Sequence, residues 1–363
     1  MSFKVKMSRF GFSCAAAVLL VLGLSQASAR SAETNPALAK LVAAAKAEGE
    51  LDVVWGPALG GGDGARAIQD AVNKTFGVSI KLHYAPGPSM PQMATRTIQE
   101  VQAGQPATSD LYIGVEVALT QMMVADVLKT VPWQEYFPYI TPAMAGDGRA
   151  LLVATLFNGI LYNAHAIPPN EVPHKMADIF RPEWKGKIAS TPYAVGFDRL
   201  ALVDGFDKIK AIVQKTAEWS GGLMRCGENE RIATGEFIML FLNCGDRIDD
   251  NMLAANGGPL GSGEIDDALA TSLHYFGIPK TSAHPNAAIL FAGFVASKEG
   301  QKIIDKYAHE TSHLVPGTPA YEKAQSFKRR GLQLIALGPQ DLLEHAAELD
   351  RYKTAFQKIL LKK

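Results

Sequence analysis

The sequence predicts an α/β protein built as two successive α/β units, and three observations carry this. Short apolar runs alternate with helical-period segments along nearly the whole chain. The 363 residues exceed what one ordinary domain uses. Pro168, Pro169 and Pro173 mark a loop that separates one strand–helix series from another.

The elements follow in order. Asn35 can cap a helix whose first position suits Pro36, with Leu38, Leu41, Val42 and Ala45 on one face and Gly49 as a stop. Leu51, Val53 and Trp55 read as a strand, Gly56 to Gly64 as a glycine-rich turn, Ala65 to Phe76 as a helix and Val78 to Tyr84 as a strand. A helix over Met90 to Ala103, a strand over Asp110 to Gly114 and a helix over Val117 to Leu128 repeat the pattern. Leu151 to Asn163 reads as one strand. The second series has strands at Ile188 to Ser190, Gly222 to Arg225 and Phe237 to Leu242, with helices over Phe197 to Phe206 and Lys208 to Glu218. Asn256 to Gly263 is a glycine-rich crossover. Pro285 opens a helix, Ser297 caps the next, and Pro339 to Leu361 forms one long amphipathic helix. Alternating strands and helices predict parallel sheets with helices on their faces.

The first residues read as a secretory signal. Lys4, Lys6 and Arg9 precede an apolar run from Ala15 to Leu24, and Ala27-Ser28-Ala29 offers a small-residue cleavage site, so residues 1–29 are expected to be removed. The run is shorter than the roughly 20 apolar residues that span a bilayer. Cys14 lies before the apolar core, which makes it a poor lipidated residue. The mature chain is expected to be soluble and periplasmic. A formal net charge of zero gives no electrostatic footprint for nucleic acid or an anionic membrane. After cleavage only Cys226 and Cys244 remain, as one disulfide or as two free thiols.

Several segments resemble a known family. Leu41-Val42-Ala43-Ala44-Ala45-Lys46-Ala47-Glu48-Gly49-Glu50-Leu51, Asp110-Leu111-Tyr112, Glu183-Trp184-Lys185-Gly186-Lys187-Ile188 and Pro285-Asn286-Ala287-Ala288, running on to Gly300-Gln301, are similar, in this order, to landmarks of the iron(III)-type bacterial extracellular solute-binding proteins. The resemblance implies a type II periplasmic-binding fold, with two α/β lobes that close on a ligand about a hinge. It places residues 32–159 and 273–310 in one lobe and 160–272 with 311–363 in the other. It implies a monomeric, non-enzymatic receptor without a cofactor, serving an inner-membrane ABC permease and its ATPase. Iron-binding members carry adjacent tyrosines where this chain has Asn243-Cys244-Gly245-Asp246. Their absence favours an organic ligand over iron(III), and the family includes binders of phosphonates and phosphorylated sugars.

Ligands of open α/β units sit beyond the carboxyl ends of strands. That rule selects Gly61, Gly62 and Asp63 of the glycine-rich turn, whose amides could hold an anion. It also selects Tyr112 and Glu116 after the third strand, then Thr191, Tyr193 and Arg199, and finally Arg225 and Asn243. Arginines with aromatics suit a carboxylate or phosphonate, so an anionic solute is expected. Gly60, Gly62 and Ala65 also satisfy a dinucleotide-type spacing, but the second strand ends at Tyr84-Ala85-Pro86 with no acid for a ribose.

The sharpest rival is His309-Glu310-Thr311-Ser312-His313, an H-E-x-x-H match that would make the chain a zinc-dependent hydrolase. The chemistry needs a helix continuing through the motif, and Pro316-Gly317 follows closely, so the helix is expected to end within it. The acid clusters Asp246 to Asp250 and Glu264 to Asp267 could bind a cation or a polyamine, but read better as solvated faces.

Overall fold

A computed structural model of the protein describes residues 35–194, 196–225, 227–243 and 257–362. The signal segment, Cys226, Cys244 and the Asp246 to Asp250 cluster lie outside the described residues.

Helix α1 (Pro36–Glu48) begins where its capping chemistry dictates. Asn35 Oδ1 accepts the N–H groups of Ala37 and Leu38, and Gly49 ends the helix in the left-handed region with its N–H on the Ala45 carbonyl. Strand β1 (Glu50–Trp55) pairs in parallel with β2 (Lys81–Pro86) across α2 (Gly61–Phe76). The glycine-rich stretch is therefore less turn than expected: Gly61 to Gly64 form the first turn of α2. Close packing explains the glycines. A Cβ on Gly64 would lie 1.7 Å from the Leu59 carbonyl oxygen, and one on Gly60 would lie 2.5 Å from Tyr307 Cβ.

Helix α3 (Met90–Gln102), β3 (Tyr112–Val115) and α4 (Glu116–Val124) continue the first unit. The single strand expected over 151–163 is two, β4 (Leu151–Phe157) and β5 (Ile160–Asn163). They part at Asn158-Gly159, where the chain leaves one hydrophobic core for another. No side chain fits there, since a Cβ on Gly159 would meet the Gly263 carbonyl oxygen at 2.2 Å.

The second unit holds β6 (Ile188–Ser190), α5 (Phe197–Asp204), α6 (Phe206–Trp219), β7 (Ser220–Leu223), β8 (Met239–Phe241) and β9 (Leu260–Gly263). Its sheet has the order β7-β6-β8-β5-β9. The chain then returns as β10 (Thr271–Gly277), between β3 and β4. Helices α7 (Pro285–Val295), α8 (Lys298–Ala308), α9 (Pro319–Arg329), α10 (Pro339–Glu344) and α11 (Ala346–Leu360) complete it. No helix among the described residues is long and apolar enough to cross a membrane.

The β1–β2 sheet is parallel, but the β3-β10-β4 sheet is antiparallel and the five-stranded sheet is mixed. β6 runs parallel to β7 and β8, but β5 is antiparallel to β8 and β9, and β10 is antiparallel to β3 and β4. The antiparallel pairings all involve β5 or β10, which enter their sheets from the other unit. A strand arriving that way needs no helical crossover and is free to run in the opposite sense.

Two apolar cores result. One gathers Trp55, Ile113, Phe276 and Phe291; the other gathers Ile188, Phe197, Phe241 and Phe356. A small cluster of Phe157, Leu269, Ala320 and Phe327 sits where the chain crosses between them. The long C-terminal helix breaks at His345 because its two halves serve different partners. α10 packs on α4 of the first unit, while α11 packs on α5 and α6 of the second. Phe356 stacks on Phe206 at 5.4 Å and 12°.

Candidate functional site

A cavity of about 970 Å³ opens between the two cores, a size that suits a small organic ligand. The first unit supplies the loop after β1, the start of α3 and the start of α4, including Trp55, Met90 and Glu116. The second supplies Tyr193, Asp198 and Arg199. Ser272 and His274 of β10 and the following Glu310 contribute from the crossing segments, and α11 adds Leu349, Asp350 and Lys353 at one side.

The two units meet through charge. Glu116, the first residue of α4, and Arg199, on α5, are both buried and form an ion pair through Arg199 Nη2. Glu116 Oε2 also accepts the Leu273 N–H at 2.8 Å, and Arg199 Nη1 donates to the Thr271 carbonyl at 2.9 Å. β10 is thus tied to both helices. Arg199 Nε is buried without an acceptor. Beside the pair, Asp198 accepts the Arg199 N–H at 2.9 Å. Burial lifts its pKa above the usual carboxylate range, against the opposing pull of Arg199 and Lys353.

His274 sits at a register shift between β10 and β4, a bulge that re-aims a side chain. Its Nδ1 lies 3.2 Å from Glu310 Oε2. That is close enough for a charge contact, but the two atoms are not aligned for a hydrogen bond, and neither has another partner. Glu310 is held there by its neighbours. The Thr155 N–H donates to the Thr311 carbonyl at 2.9 Å, and Thr155 Oγ1 contacts His313 Nδ1 at 2.7 Å.

This geometry bears on the H-E-x-x-H match, whose helix is expected to end within the motif. α8 stops at Ala308, before the motif, and His309 is its left-handed cap at φ 53°. His309 is exposed, Glu310 faces the cavity, and His313 is drawn onto Thr155, with burial lowering its pKa. The two histidines never share a helical face, so a zinc-protease site does not form.

Among the described residues, the one grouping with metal-ligand spacing is Asp52, Asp110 and His284. Asp110 and His284 are already bonded to each other, and Asp52 Oδ2 stands 3.9 Å from His284 Nδ1. The buried Asp110 carboxylate accepts the Asp52 N–H, the Ser282 hydroxyl, the His284 N–H and His284 Nδ1. The cluster therefore fastens the start of α7 to β1.

Of the residues selected from sequence, Glu116, Tyr193 and Arg199 line the cavity. Gly61, Gly62, Asp63, Tyr112, Thr191, Arg225 and Asn243 do not. Gly62 packs against the Tyr84 ring, and Asp63 pairs with Arg66 at the exposed surface. The Tyr112 hydroxyl donates to the Met90 carbonyl at 2.9 Å, so it supports the wall from behind, and burial raises its pKa. Thr191 is buried, and Arg225 is exposed with its N–H on Glu228. Asn243 clamps the crossing: its Oδ1 accepts the Gly159 N–H and its carbonyl accepts Asn158 Nδ2. Sequence reasoning passed over Trp55, Asp198, His274 and Lys353. Trp55 ends β1, so the strand-end rule could have found it.

Comparison with known proteins agrees with this architecture. The profile of the bacterial extracellular solute-binding proteins matches residues 67–332. No curated protein matches the sequence significantly. Among solved structures, the substrate-binding protein of an ABC transporter from Agrobacterium tumefaciens is similar, with a TM-score of 0.65 at 17% identity, covering 85% of this chain and 94% of that one. Iron-bound HitA from Pseudomonas aeruginosa gives 0.63 at 17%, covering 86% and 99%. AgtB from A. tumefaciens R10, in complex with agropinic acid, gives 0.61 at 13%, also covering 86% and 99%. These are two-lobed periplasmic binding proteins, and the chain shares their fold.

Proposed function

The chain belongs to the bacterial extracellular solute-binding protein family, and from that premise we propose that it captures a small organic solute between its two units and delivers it to an ABC permease. The observation that carries this is the cavity, because its walls come from both cores and from the segments that join them. A ligand touching both walls favours the closed arrangement over the open one, which is the differential affinity a population shift requires. The reading assigns capture rather than catalysis, needs no cofactor and takes a monomer as the working unit. It treats residues 32–159 with 273–310 and residues 160–272 with 311–363 as the moving bodies. Export by cleavage after Ala29 belongs to the same proposal.

The anionic solute expected from sequence loses its support. The Arg199 charge is committed to Glu116, Arg225 lies away from the cavity, and Gly61, Gly62 and Asp63 are off its lining, although Gly56, Pro57 and Ala58 at the start of the same turn are on it. Iron(III) gains none either, since among the described residues Tyr193 is the only tyrosine of the lining.

A thermal-shift screen of the chain from Ala32 onward tests the reading. A solute present at a hundred times its dissociation constant stabilises the native state by about 2.7 kcal/mol. A clear rise in melting temperature with one organic class is the expected outcome. Activity against peptides that disappears on chelation would overturn it.

A further inference from the structure

We infer that the captured solute is a small organic cation, a protonated or quaternary amine, and that Glu310 and Asp198 receive its charge. The inference rests on the receptor reading above and adds the solute's chemical class.

It starts from the charges on the lining. Glu116 and Arg199 neutralise each other in their buried pair. What remains inside is Asp198, Glu310 and His274, with Asp350 and Lys353 exposed at the α11 side. Acids outnumber bases in this set even with His274 protonated. Among the described residues, an anionic solute would meet Asp198 and Glu310 with no uncommitted arginine of the lining to offset them, and like charges at short range repel.

Glu310 supplies the second, independent observation. Its side chain is 9% exposed and its Oε2 has no hydrogen-bond donor, while His274 Nδ1 stands 3.2 Å away and misaligned. A buried carboxylate oxygen without a donor is costly to maintain. A ligand ammonium brings both the donors and the charge that it lacks. Asp198 lines the same cavity and its carboxylate accepts the Arg199 N–H, while burial raises its pKa against the pull of Arg199 and Lys353. Tyr193 adds an exposed aromatic ring to the lining, and a cation within about 6 Å of such a ring gains further attraction.

The test is calorimetric titration of the chain from Ala32 onward with probes matched in skeleton and differing in charge. Butane-1,4-diamine, 4-aminobutanoate and succinate form one set; choline, trimethylglycine and glucose extend it to quaternary and neutral solutes. Binding confined to probes with a cationic nitrogen is the expected result. Glu310→Gln and Asp198→Asn should each then weaken that binding by about tenfold or more, while Arg225→Ala leaves it unchanged. Both exchanges keep size and shape, and circular dichroism checks that the variants fold. Succinate or glucose binding that is equal in wild type and Glu310→Gln would overturn the charge assignment and leave the receptor reading standing. No binding by any amine, acid or neutral solute, here or in the wider thermal-shift screen, would remove both.

Discussion

The Glu116 carboxylate and the Arg199 guanidinium, carried on helices from opposite hydrophobic cores, meet in a buried ion pair at the wall of the cavity. Both are also bonded to the backbone of β10, so one strand registers the two units against each other.

Removing one member of such a pair leaves an uncompensated buried charge. Glu116→Gln and Arg199→Met should each destabilise the protein by about 3–5 kcal/mol. The double variant should lose clearly less than the sum. Urea denaturation of the four proteins gives the coupling energy; strict additivity would show that the contact carries no energy.

Stability should depend on pH through Asp110 and His284. Burial alone would raise the Asp110 pKa, but the hydrogen bonds from Asp52, His284 and Ser282 together bring it below the usual value. Its contribution is complete above about pH 4 and is lost as pH falls through the lowered native value. Burial opposes a charged His284, yet Asp110, with smaller help from Asp52 and Glu48, raises its pKa. That contribution is complete below about pH 6.5 and is lost as pH rises through the raised native value. The stability gap between wild type and His284→Gln should therefore be widest between about pH 4 and 6.5. Denaturation midpoints measured from pH 3 to 9 check this, and a gap that stays flat across the range would contradict it.

Gly64→Ala should destabilise by about 3 kcal/mol, because the new methyl collides with the Leu59 carbonyl and the helix start must move. Gly104→Ala meets open space and bears only the strain of a left-handed backbone, about 1 kcal/mol. Thermal melts of the two variants should separate them clearly.

Phe356→Ala empties a fully buried site where α11 meets α5 and α6. The expected loss is about 3–5 kcal/mol. Because Leu349, Asp350 and Lys353 of the same helix line the cavity, solute affinity should fall as well. Calorimetry on the folded variant measures this.

The fold was legible where local chemistry decides it. Asn35 with Pro36, and Ser297 with its side chain on the Gly300 N–H, mark helix starts that the structure shares. The strand at Ile188 to Ser190 coincides with its expected bounds. What escaped depends on contacts between distant segments. The break at Asn158-Gly159 and the split at His345 arise because each segment serves two cores, a demand absent from local periodicity. The site was less legible for the same reason. His274 and Glu310 are neighbours only because β10 bulges beside β4 and Thr155 pins the following loop. Glu310 was noticed, but within a helix that stops short of it. Arg199 was selected as a free cation, and nothing in sequence pairs it with Glu116.

The position of α11 bears on how the chain is made. Tyr352, Phe356 and Leu360 complete a core whose other members begin at Ile160. The first core likewise waits for Phe276 and for α7. A chain emerging from the ribosome amino end first therefore exposes apolar faces without their partners through most of its synthesis. Such high sequence separation makes collapse to the native state slow. If export proceeds as proposed above, the delay is useful, because a polypeptide still lacking its closing helix stays loose enough to cross a membrane before it folds.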